Sequence, residues 1–143
     1  MGLNEKEQAL LEILKEKNGA LQTILEITRM QEAMFSDDDV TALMDNIELR
    51  QQWIDHVNKL DGQISAFKDF ADLSRPPLNA EYTGIQAALN DITRQDAVNE
   101  KKALQKLEGY KQELKTARAE KTGFDGYYAN NIKTGESYFD EGY

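Results

Sequence analysis

The residues able to do chemistry are few: one histidine, His56, four serines and no cysteine in 143 residues. His56 stands two positions past the apolar Ile54, where a solvent-facing position is expected, and no second nitrogen ligand or thiolate lies near it in sequence. A lone imidazole in that setting reads as a solvated surface group, not as a metal ligand or general base. Ser36, Ser65, Ser74 and Ser137 have no nearby base and no nucleophile elbow. The acidic run Ser36-Asp37-Asp38-Asp39 lacks the glycine turn and the distant glutamate of a calcium loop. "TGFDG" and "KTGES" lack the glycine pattern, and the preceding strand, of a phosphate-binding loop. No catalytic residue, metal or cofactor is therefore expected, and the chain is not expected to be an enzyme.

Composition narrows the partners. Seventeen basic against twenty-six acidic residues give a formal net charge of -9, which disfavours nucleic acid and anionic membranes. The absence of cysteine rules out a disulfide framework. The first residues, "MGLNEKEQALLEILKEK", mix acids and bases without a continuous apolar stretch, so neither a signal peptide nor membrane insertion is expected. These features predict a cytoplasmic location.

The elements that would position any binding residue are helical. Long stretches are rich in Leu, Glu, Lys, Gln and Ala, and the only prolines are Pro76 and Pro77. A stripe of Leu11, Leu14, Leu21, Leu25, Thr28 and Phe35 predicts a helix over about 4–35. Asn18-Gly19 is a turn signal inside it. Ser36 is a candidate cap for a second helix over about 37–73, with Val40, Leu43, Ile47, Ile54, Val57, Ile64 and Ala71 as its core stripe and Met44, Trp53, Leu60 and Phe67 widening it. "LSRPPLN" breaks that helix. The third helix, about 80–122, restarts either at Asn79 or at the capping box Thr83–Gln86, and stops at Gly123.

The fold expected is all-α: an elongated antiparallel helical bundle or coiled coil of three long helices in residues 1–123, followed by a tail over 124–143. Within the third helix, Asp96 and Asn99 interrupt the apolar face, which reads as a solvated segment in preference to a specific polar lock. Arg50 and Asp61 interrupt the second helix and are read as fixing register, with a slot for a partner helix as the alternative. Residues 36–73 hold nine acids and three bases, whereas 101–121 hold seven bases and three acids. The second half of helix three is accordingly expected beside helix two.

The tail carries six of the chain's twelve aromatic residues. A mobile polar end is the plain reading. Each aromatic can bury on the order of 150 to 250 Å², so docking of Tyr127, Tyr128, Tyr138 and Phe139 on a helical groove is the reading preferred.

Taken together, these segments resemble the small flagellar export chaperones of the FlgN type, with FliT as a cousin. The likeness rests on the leucine-rich first helix, the acidic break and second helix "SDDDVTALMDNIELRQQWIDHVNKLDGQI", the third long helix and the aromatic finish "SYFDEGY". What the resemblance implies is a chaperone that holds helical terminal segments of hook-associated proteins, at the hook-filament junction or the filament cap, before export. It also implies that the third helix carries much of the client contact, which maps here to Leu104, Leu107, Tyr110 and Leu114 with the tail nearby. The alternative is a structural coiled-coil protein that only self-associates, as a homodimer, with no export client.

Overall fold

The structure, a computed structural model, describes residues 2–120. It consists of α1 (Glu5–Asp37), α2 (Val40–Ser65) and α3 (Pro76–Glu120), with no strand among the described residues. The all-α helical bundle is thus the fold found. Two compact units divide the chain, Met1–Lys102 and Ala103–Tyr143.

The first helix starts at a reciprocal cap. The Asn4 side chain accepts from the Glu7 amide at 2.8 Å, and the Glu7 carboxylate accepts from the Asn4 amide at 3.2 Å, so two of the helix's orphan N–H groups are satisfied. Asn18-Gly19 does not interrupt α1. The Asn18 amide instead donates to Glu81 Oε2 of α3 at 3.1 Å. Gly84 allows this approach, because a Cβ there would lie 2.6 Å from Asn18 Nδ2.

Three boundaries differ from expectation. Ser36 lies inside α1, where its hydroxyl donates to Glu32 O at 3.3 Å. Asp38, left-handed at φ 54°, ends α1, and Asp39 caps α2 by accepting from Ala42 N at 3.0 Å. The second helix ends at Ser65, not at 73. Beyond it Phe67 N donates to Ile64 O and Phe70 N to Phe67 O, each at 3.0 Å. These three-residue turns preserve a helix-like apolar spacing after the α-helix has ended, and Phe67 and Ala71 still pack on the core. The third helix begins at Pro76, ahead of both expected starts. A first-turn residue needs no amide partner and proline's fixed φ suits it, so the residues expected to exclude a helix open one. Thr83, the other candidate cap, is interior and donates to Asn79 O at 3.0 Å.

In the first unit α1 supplies most of the core: Leu10, Leu14, Leu21, Ile24 and Leu25 are buried, against Val57 and Leu60 of α2 and Leu78, Ile85 and Ile92 of α3. Contacts Ile27–Asn46 and Glu16–His56 set α2 antiparallel to α1. Asn18–Glu81 and Glu32–Lys102 set α3 parallel to it.

One part of the expected core is not core. Val40, Met44 and Ile47 are 66%, 64% and 50% exposed, while Asn46 between them is buried. The Asn46 amide donates to Ile27 O at 2.9 Å, and this bond turns the first two turns of α2 so that its apolar residues face away from α1.

Candidate partner-binding surfaces

Within the second unit α3 continues without a break as far as Glu120. Leu104, Leu107, Tyr110 and Leu114 recur at intervals of three, three and four, which gathers them on one broad side of the helix. Leu104 and Tyr110 are 55% and 47% exposed; Leu107 and Leu114 are half-buried. Tyr127, Tyr128, Tyr138 and Phe139, together with the expected stop at Gly123, lie outside the described residues.

In the first unit the interruption at Asp96 and Asn99 is a lock, contrary to the solvated segment expected. Asn99 is 4% exposed. Its amide donates to Thr28 O at 2.8 Å and to Gln31 Oε1 at 3.3 Å, and its own Oδ1 accepts from Gln95 Nε2 at 3.0 Å. Beside it Arg50 Nη2 meets Asp96 Oδ2 at 2.9 Å. Asn46 Oδ1 and Arg50 Nε are buried with no partner among the described residues, so the layer fixes register at some expense in stability. Sequence periodicity located the interruption but not the partners of Asn99 on α1, which lie about seventy positions away.

Removing Asn99 tests the lock. Asn99→Ala leaves the Gln31 and Gln95 side chains without their shared partner inside the bundle, and is expected to lower the unfolding free energy by about 2 kcal/mol. The readout is a lower urea midpoint at an unchanged slope; an unshifted midpoint would mean that these amides find solvent instead.

Asp61 pairs with Lys17 of α1 at 2.6 Å, its carboxylate nearly half exposed. His56 lies at the surface, its side chain 37% exposed, with Nε2 at 3.2 Å from Glu16 Oε1 and its ring in an edge contact with Trp53. This pairs α2 with α1; among the described residues no group of three His, Cys, Asp or Glu is placed to hold a metal ion.

The node that sequence reading missed is Glu7. It is 1% exposed and joins the start of α1 to the connection before α3, accepting from Arg75 Nη1 at 3.2 Å and from Asp72 N at 3.4 Å. Asn4-x-x-Glu7 is a capping-box spacing that could have located it. Nearby, the hydroxyl and then the amide of Ser74 donate to Asp72, holding its carboxyl below its ordinary pKa, with the Arg75 charge as a smaller contribution in the same direction. This node is architectural: its donors and acceptors are used within the fold.

No helix among the described residues is long and apolar enough to cross a membrane. Compared with family models, curated proteins and solved structures, the chain finds no match.

Proposed function

We propose that this chain is an export chaperone that holds helical terminal segments of flagellar hook-filament junction or cap proteins in the cytoplasm before their secretion. The observation supporting the reading is the exposure of Leu104 and Tyr110 on α3. Spaced apolar and aromatic side chains on a helix are the anchors by which an amphipathic segment is read. The client class comes from the resemblance, with which the all-α bundle agrees. Leu107 and Leu114 widen the face, and Tyr127, Tyr128, Tyr138 and Phe139 are assigned to the same client contact.

Calorimetry against junction and cap proteins tests this. Leu107→Ala with Tyr110→Ala is expected to weaken binding by at least about tenfold, equivalent to 1.4 kcal/mol or more. A chain ending at Lys121 is expected to change client affinity as well, upward if the aromatic stretch competes for the client face. Intact binding to every junction and cap protein by both variants would remove the assignment.

A further inference from the structure

Two exposed faces of opposite charge are present on this chain. On α2, Val40, Met44 and Ile47 form an exposed apolar patch, and Glu48 and Asp55 continue the same helix face by spacings of four and seven. Glu48 has no ion pair among the described residues, and Asp55 accepts only from the side chain of Gln51, at 2.9 Å. On α3, Lys101, Leu104, Lys111 and Lys115 recur at intervals of three, seven and four, again on one face. Leu104, Lys101 and Lys115 are exposed, Lys111 is half-buried, and Glu108 is the one acid among them. Met44 and Asp55 are eleven positions apart, as are Leu104 and Lys115. The apolar and charged parts of the two faces are therefore matched in spacing, at about 16 Å along each helix.

We propose that the α2 face of one copy docks side by side on the α3 face of a second copy, with Leu104 against the Val40–Met44–Ile47 patch and Lys115 beside Asp55. The charge distribution selects this occupant. A patch rimmed by acids in a chain of net charge -9 calls for a locally basic partner, and seven of the chain's seventeen bases lie in residues 101–121. Charges more than about 8 Å away are largely screened at physiological salt, so the matched faces outweigh the overall repulsion between two acidic chains. The pairing needs no export client and stands apart from the client reading, although both use Leu104.

Sedimentation equilibrium of the full chain, from micromolar to submillimolar concentration, tests it. The wild-type chain is expected to self-associate. Glu48→Lys with Asp55→Lys, and separately Lys111→Glu with Lys115→Glu, should each weaken that association by at least about tenfold. An equimolar mixture of the two variants should restore it, because every α2–α3 pairing between unlike copies then joins opposite charges. Met44→Gln, which changes no charge, should weaken association too, with helical circular dichroism confirming that each variant is folded. A wild-type chain that stays monomeric, charge variants that associate as wild type does, or a mixture that associates no better than its components would each overturn the proposal. Loss of client binding would leave this result unaffected.

Discussion

Leu78→Ala is expected to lower the unfolding free energy by about 3 kcal/mol, within the range for a fully buried leucine. Leu78 is completely buried in the first turn of α3, in one cluster with Leu10 and Leu14 of α1. Pro76 and Pro77, just before it, are exposed. Leu78 is thus the first side chain of α3 seated in the core, and the next buried position on that helix is Ile85, about two turns on. Truncation at Leu78 removes a large apolar contact and leaves a cavity whose walls belong to two helices. A fall in the urea midpoint of that size, with native helical content retained in water, is the expected observation. A loss below about 1 kcal/mol would mean that α3 settles into the space and that its seating lies elsewhere.

Arg75→Ala is the second large effect. Glu7 is almost fully buried and Arg75 supplies its cationic partner at 3.2 Å. Removing one member of such a pair strands the other, which is far worse than never burying the pair. Because about a third of the Arg75 side chain is exposed, solvent reduces the penalty to about 2 kcal/mol, below the range for fully enclosed pairs. The same change made in a Glu7→Gln background should lose at most half as much, because no charge is then stranded. Equal losses in the two backgrounds would show that Arg75 acts through its stem and through its bond to Gly2 O at 3.1 Å, and not through the carboxylate.

The three helices and most of the α1 face were legible because apolar spacing on a long helix repeats many times. What failed were local decisions resting on one or two residues. Proline's interior effect predicts a break, whereas at Pro76 only its first-turn effect operates. Phe67 and Ala71 kept the apolar period, so the end of α2 at Ser65 left no trace in the pattern. Val40, Met44 and Ile47 carry a core-like spacing, but which side of α2 faces α1 is decided by Asn46 and its bond to a backbone carbonyl. Hydropathy cannot register that bond. The polar layer was visible as an interruption, yet its meaning depended on Thr28 and Gln31, which no window around Asn99 contains. Of the candidate client face, spacing placed Leu104, Leu107, Tyr110 and Leu114 on one side of the helix, whereas their unequal exposure emerges only in three dimensions.

The amide layer around Asn99 also bears on how the chain finds its native arrangement. Leucine against leucine is forgiving: α1 and α3 could slide past one another by a turn and still bury much of the same oil. Such a slip would carry Asn99 away from the Thr28 carbonyl and from Gln31, and would leave the two buried amides of Asn99 and Gln31 without each other, which is costly. Slipped pairings are therefore short-lived dead ends, and the correct one is recognised the moment the amides meet. A few side chains thus serve to remove the competitors of the native arrangement.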